Sequence, residues 1–177
     1  MSQLKVNSIV PAGGLSGGAS GGIIKVVQTV KTDTFTASGS GESGITGLSA
    51  TITPSSTSNK ILIMVSVNYD YNRTNSGGGF RIYRGATSLT AATGDAAGSR
   101  YRVISDFGAN ANADQSGMHR SFSYLDSPSS TSSLTYQVYQ YQAGGGQTFY
   151  LNRSQNDADQ GDDPRMSSTI TLMEISG

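Results

Sequence analysis

The sequence predicts an all-β chain: an antiparallel β-sandwich of jelly-roll type with a short extended N-terminal arm. Three observations carry this. Apolar and polar residues alternate over short runs bounded by Gly, Pro, Ser and Asn, the period-two pattern of half-buried strands. No segment repeats its apolar residues at helical spacing over any length. Eight to ten such runs fit into the chain, enough to fill two packed sheets. An immunoglobulin-like sandwich is the alternative. It has less support because there is no Trp and no Cys among the 177 residues, against about 100 residues for the usual module.

The chain is organised around residues 59–71, NKILIMVSVNYDY. Residues 61–65 are continuously apolar and rich in β-branched side chains, and Val67, Tyr69 and Tyr71 then continue at period two. A strand of this kind is expected to be covered on both faces at its start, by a second sheet on one side and a further sheet or a neighbouring subunit on the other.

The other elements follow in order. Leu4, Val6, Ile9 and Val10 form a short apolar segment ended by Pro11, and residues 13–22 are a Gly/Ser joint. Residues 1–22 therefore read as an arm with a linker, too short to fold alone and expected to dock. Residues 23–177 form the body. IIKVVQTVKTDTF, residues 23–35, reads as its first strand, with residues 37–44 as a loop and residues 45–53 as a second strand ending at Pro54. The turn PSSTS at 54–58 leads into the central strand and recurs at 128–132 before LTYQVYQYQ. Either a double Greek key with equivalent turns at one end or chance in a Ser/Thr-rich chain accounts for the repeat. Short strands are expected at 80–84, 101–104, 119–125, 147–151 and 168–175, with a single helical turn at most in the Ala/Gly segment 88–98. The glycine runs at Gly77 and Gly144 read as hairpin tips, since no Lys-Ser/Thr follows them as in a phosphate loop.

Leu, Ile, Val and Phe supply 34 of 177 residues, a proportion at which disorder competes with folding. Twelve basic and twelve acidic residues give no net charge, and nine tyrosines add buriable area, so the chain is expected to fold around a thin core and to gain further burial by association. Neutrality and the lack of a Lys/Arg cluster argue against nucleic acid. No apolar run is long enough to span a membrane, and the N-terminus lacks the apolar region of a signal peptide. With no Cys, neither disulfides nor thiolate metal sites arise.

Chemistry-bearing residues are sparse. His119 is the single histidine, and there is neither a nucleophile elbow nor a carboxylate pair set among apolar positions, so the chain reads as a non-enzyme needing no cofactor. Asp157, Asp159, Asp162 and Asp163 form the one acidic cluster. They are candidate Ca²⁺ ligands by density, but the EF-hand pattern is not met, and a solvated loop balanced by Arg153 and Arg165 is favoured. Tyr69, Tyr71, Tyr139 and Tyr141 are candidates for a subunit interface, since Tyr joins large area to a polar tip. Asn110, Asn112, Asn152 and Asp159 lie in the two long polar segments, 109–117 and 152–164, and are candidates for contact with host glycans.

Blocks spread over nearly the whole length give the chain a family resemblance: SQLKVNSIVPAGG, IIKVVQTVKTDTF, ITPSSTSNKILIMV, YRG with GDAAGSR, SFSYLDSPSSTSSLTYQV and STITLMEIS. As a set they resemble small virion structural or tail-fibre-like proteins of marine tailed phages, particularly cyanophages. The resemblance implies a virion component made in the host cytoplasm. It further implies a homotrimer, joined to other particle proteins through the arm residues Leu4, Val6, Ile9 and Val10, with the β-domain facing out. Tail-fibre, capsid-decoration and host-attachment roles all fall within it, and a receptor-binding module for host surface polysaccharide is the alternative.

Overall fold

The computed structural model describes residues 22–72, 77–107 and 117–177. These residues form eleven strands: β1 (Ile23–Lys31), β2 (Phe35–Ser38), β3 (Gly41–Ile52), β4 (Lys60–Asn72), β5 (Gly78–Arg84), β6 (Thr87–Ser88), β7 (Ser105–Asp106), β8 (Met118–Asp126), β9 (Leu134–Gln142), β10 (Thr148–Leu151) and β11 (Ser168–Ile175). All pairings are antiparallel, and two sheets pack face to face as a β-sandwich.

In the first sheet, β11 and then β10 lie along the same edge of β4, with Ile175 opposite Lys60 and Thr148 opposite Asn72. β1 and β2 follow them in the same way, and β8 takes the other edge of β4. The sheet is thus four strand-lines wide, in the order β1/β2, β10/β11, β4, β8. The second sheet runs β3, β9, β5, with β6 and β7 both on the free edge of β5. Apart from the β5–β6–β7 run, every connection between strand-lines passes from one sheet to the other.

The expected first strand, 23–35, is divided at 32–34. There the Lys31 ammonium meets the Asp33 carboxylate at 2.6 Å and the Asn152 amide bonds the carbonyls of Lys31 and Asp33. Residues 37–44 are not a loop. β2 reaches Ser38 and β3 starts at Gly41, because Gly39 and Gly41 at φ 91° and 106° turn the chain within three residues. Pairing with β9 then orders a stretch whose Gly and Ser carry no strand propensity of their own. No strand forms at 101–104. The Arg102 carbonyl is taken by the Arg81 side chain and that of Val103 by Gly94 N–H, so ladder pairing to β5 starts only at Ser105. The helical turn in 88–98 is a single 3₁₀ turn at Thr90–Ala92.

Gly78 and Gly79 are not a hairpin tip but lie inside β5, and they are glycine for lack of space. A Cβ at Gly78 would stand 2.5 Å from the Phe107 ring, and one at Gly79 2.4 Å from the Ser105 carbonyl, so the 103–107 segment can lie on β5 only because these side chains are absent.

The core is aromatic at its middle. Tyr69, Phe80, Phe107 and Phe149 pack with ring centroids 4.9–5.8 Å apart, and the Tyr69 hydroxyl donates to the Phe107 carbonyl. Ile45, Leu48, Ile61, Ile63, Ile170 and Leu172 fill the remainder.

Both PSSTS turns lie at one end of the sandwich, since Ile61 pairs with Asp126 and Ile52 with Leu134. Their chemistry differs. At the first, the buried Glu174 carboxylate accepts from Ser55 N–H and hydroxyl, each at 2.6 Å, and from Asn59 Nδ2 at 2.7 Å. Within each turn the same bond forms, Ser58 N–H to Ser56 Oγ in the first and Ser132 N–H to Ser130 Oγ in the second, so what sets the first apart is Glu174. Nearby, Asp126 Oδ2 joins the sheets by accepting from Arg84 and Tyr136, each at 2.7 Å.

Burial disfavours the charge on Glu174, but the Ser55 and Asn59 donors outweigh it and hold its carboxyl below the ordinary glutamate value. A carboxylate with a depressed folded-state pKa stabilises above its unfolded value, about 4.3, and loses that contribution as pH falls through the folded value. Urea midpoints measured from pH 6 to pH 3 should therefore fall more steeply below about pH 4.3 in the native chain than in Glu174→Gln. Parallel curves would show that other acids govern the acid limb.

Candidate functional site

The two outer faces of the sandwich differ in chemistry. Period-two alternation along the four strand-lines of the first sheet puts Val26, Met173, Leu62 and Leu125 in one row, each opposite the next. The next rows run Gln28, Thr171, Met64, Ser123 and then Val30, Thr169, Ser66, Ser121. No charged residue stands in these three rows. Val26 and Val30 are more than half exposed, and Met64 and Leu125 are each 44 % exposed. The Ser and Thr side chains leave a shallow trough of about 340 Å³ beside Met64. The described residues therefore supply the expected cover at the start of the central strand on one face only: Ile61, Ile63 and Val65 are buried, and Met64 faces out.

His119 sits on this side, on β8, with its Nε2 2.9 Å from the Ser66 hydroxyl. Among the described residues no carboxylate bonds its other ring nitrogen.

The outer face of the second sheet carries charge and rings. Tyr83 of β5 stacks on Tyr139 of β9 with centroids 3.8 Å apart. Beside them the Arg81 guanidinium lies 4.8 Å from the centre of the Tyr141 ring and pairs with Glu42 of β3. The 99–102 segment folds over the same spot and closes a cleft of about 300 Å³ with Arg100, Tyr101 and Arg102 on its wall.

The tyrosines expected at an interface divide between these environments. Tyr69 and Tyr71 point into the sandwich and are essentially inaccessible, so neither can touch a partner. β4 turns its odd-numbered residues inward, and both rings belong to that set. Tyr139 and Tyr141 lie on the outer face of the second sheet, partly exposed.

Asn152 likewise has no access to a glycan. It is fully buried at φ 58°, where it donates to the Lys31 and Asp33 carbonyls, accepts from the Ser168 hydroxyl at 2.6 Å, and bonds Asn68 through its backbone. Its place between β10 and β11 explains this, because the 152–167 excursion leaves the sheet there and the side chain ties off the gap. Asp159 is exposed on that excursion. Asn110, Asn112, Leu4, Val6, Ile9 and Val10 lie outside the described residues.

Two of the four acidic residues of the excursion, Asp157 and Asp163, are already engaged, and Asp159 and Asp162 are exposed. Asp157 pairs with Arg165 at 2.7 Å and Arg153 at 3.3 Å, and Asp163 accepts from Ser154, Asn156 and the Ala158 N–H. A cation would have to displace these donors. Among the described residues no three acidic or His side chains are placed to hold one.

Neither a family model nor a curated protein matches the chain. Among solved structures, a chain of the structure of infectious bursal disease virus Gx strain is similar at a TM-score of 0.43 and 13% identity, over 98% of this chain and 45% of that one. The protein thus spans less than half of that viral chain. A likeness of this size carries no argument about function. No helix among the described residues is long and apolar enough to cross a membrane.

The arginine and tyrosine cleft was not singled out from the sequence, where its arginines count as scattered. Two signals could have marked it: the Arg100-Tyr101-Arg102 triplet and the out-of-phase Tyr139 and Tyr141, which alternate with glutamines rather than with apolar residues.

Proposed function

We propose that the protein is a virion structural component that acts by assembly, with copies of the chain associating through the outer face of the first sheet. The observation that carries this reading is the central strand, apolar on both faces at its start, of which the described residues cover only one. Exposed Val26, Val30, Met64 and Leu125, set in three uncharged rows across four strand-lines, are the kind of surface that marks a protein contact. Four strands about 4.8 Å apart and seven residues rising about 3.3 Å each give roughly 450 Å², short of the about 800 Å² per partner of a standard interface. An additional contact is therefore required. The arm with Leu4, Val6, Ile9 and Val10 is our choice for it, either exchanged between copies or inserted into the particle.

The sequence resemblance favours a homotrimer on a tailed-phage particle, as a tail-fibre-like or decoration protein with the second sheet turned outward. The strand order favours the jelly-roll type of sandwich: β1/β2, β10/β11, β4, β8 against β3, β9, β5, β6/β7 is the arrangement of two interlocked Greek keys. The alternative of a module that recognises host surface glycans rests on the opposite face.

Light scattering on the purified protein tests the assembly. The expected mass is three times the 18.4 kDa chain, and Met64→Asp or Val26→Asp should lower it to one chain with little change in melting temperature, because both side chains are already exposed in the single chain. A native protein that stays monomeric at micromolar concentration would sink the proposal. Deleting residues 1–22 should leave the thermal transition of the β-domain in place and remove the protein from particles.

A further inference from the structure

We infer that the cleft on the outer face of the second sheet is a binding site for an acidic saccharide, a uronate-type sugar held by Arg100 and Arg102 and resting on Tyr101. The inference does not depend on how copies assemble, because it concerns the opposite face from the one that carries the assembly proposal.

Charge comes first. The chain has as many acidic as basic residues, yet three arginines line this one cleft. Among the described residues only Arg81 of the three has a carboxylate partner, Glu42. Arg102 is oriented by carbonyl oxygens, donating to Gly94 from Nε at 2.6 Å and to Thr90 from a terminal nitrogen at 3.2 Å. Those contacts fix its direction without neutralising it. Arg100 is exposed and forms no ion pair among the described residues. Two guanidinium groups with uncompensated charge at the rim of one concavity favour an anion, and a planar carboxylate matches their paired donors.

The second requirement is a surface for a ring. Tyr101 is 36 % exposed and lies 5.4 Å from Tyr141 at 36°, and the Arg81 guanidinium lies over the Tyr141 ring, 4.8 Å from its centre. The Tyr101 hydroxyl comes so close to Gly77 that a Cβ there would be 2.0 Å away, so the ring is placed by the missing side chain of Gly77. An aromatic ring fixed in this way offers its face to the C–H face of a sugar, while the Thr90, Thr93 and Ser88 side chains at the wall offer hydroxyls. The volume of about 300 Å³ is at the small end for ligand pockets and suits one or two sugar residues of a longer chain. A bare phosphate backbone fits less well, because the positive charge is confined to one cleft instead of forming a stripe.

Titration calorimetry with trigalacturonate, the neutral trisaccharide of galactose and inorganic sulfate tests the site. Trigalacturonate should bind with a dissociation constant between about 0.1 and 1 mM and weaken as salt rises. The neutral trisaccharide and sulfate should each bind at least tenfold more weakly. Arg100→Ala and Tyr101→Ala should each lower affinity for trigalacturonate at least fivefold with an unchanged thermal transition, and Arg100→Lys should fall between Arg100→Ala and the native chain. Equal binding of the neutral sugar would overturn the charge argument, and equal binding of sulfate would reduce the cleft to a bare anion site and overturn the saccharide. No binding of trigalacturonate, or native affinity in Arg100→Ala, would overturn the inference altogether. None of these results bears on the oligomer mass, so the assembly proposal stands or falls separately.

Discussion

Phe80→Ala is expected to destabilise the protein by about 3–5 kcal/mol, the usual range for truncating a buried aromatic side chain. Phe80 is inaccessible and its ring touches four others, those of Tyr69, Phe107, Phe122 and Phe149, at centroid distances of 4.9–5.8 Å. These rings come from β4, β5, β8, β10 and the end of the 103–107 segment, so the cavity would lie where both sheets meet and could not be closed by one strand moving. Against a total stability of about 5–15 kcal/mol for a domain, that is a large part of the whole. It should appear as a fall of roughly 2 M in the urea midpoint with little change of slope. Phe80→Leu, which keeps most of the volume, should lose less than half as much. A fall of under 1 kcal/mol for Phe80→Ala would show that the aromatic cluster repacks freely.

Asn152→Ala is expected to cost about 3 kcal/mol, from two separable causes. Truncation takes the Asn152 amide from the Lys31 and Asp33 carbonyls and the acceptor from the Ser168 hydroxyl, which keeps the Asn68 N–H, at about 1–3 kcal/mol for the lost partners. It also forces Ala into φ 58°, a left-handed conformation that costs about 1–2 kcal/mol for a residue with a Cβ and no local bond to favour it. Asn152→Gly incurs the first cost only and should lose about 1 kcal/mol less than Asn152→Ala. Asn152→Asp retains shape but points an oxygen at two carbonyl oxygens, and should be at least as damaging as Ala. Chemical denaturation of the three variants distinguishes these outcomes. Native-like stability of Asn152→Ala would mean that the 152–167 excursion does not depend on this side chain.

The contrast between Tyr69/Tyr71 and Tyr139/Tyr141 shows how far the sequence is readable. Both pairs sit at period two in a long strand, and the sequence assigns all four to an interface. In β4 the tyrosines extend the inward set of Ile61, Ile63, Val65 and Val67. In β9 the inward set begins with Tyr136 and Val138. A strand without a bulge cannot change phase, so Gln140 and Gln142 are carried inside and Tyr139 and Tyr141 outside. The buried glutamines are only half accommodated: their amide nitrogens donate to Ser43 Oγ and the Ala37 carbonyl, while neither Oε1 has a hydrogen-bond partner among the described residues. Alternation identifies a strand, and the most apolar member of its inward set identifies the phase. Counting tyrosines does neither.

Legible in the amino-acid order alone were most of the strand runs, the two-sheet class and the central position of residues 59–71, all of which are local consequences of side-chain type at period two. The tertiary structure alone decided which face the described residues leave open, that Asn152 is a buried tie and not a surface contact, and that Arg81, Arg100, Tyr101, Arg102 and Tyr141 meet in one cleft. These depend on antiparallel pairings between strands far apart in the chain, such as Glu42 opposite Tyr141 and Gly79 opposite Tyr141. Register between distant strands is set by the packing of the whole sandwich, and no short stretch of sequence contains it.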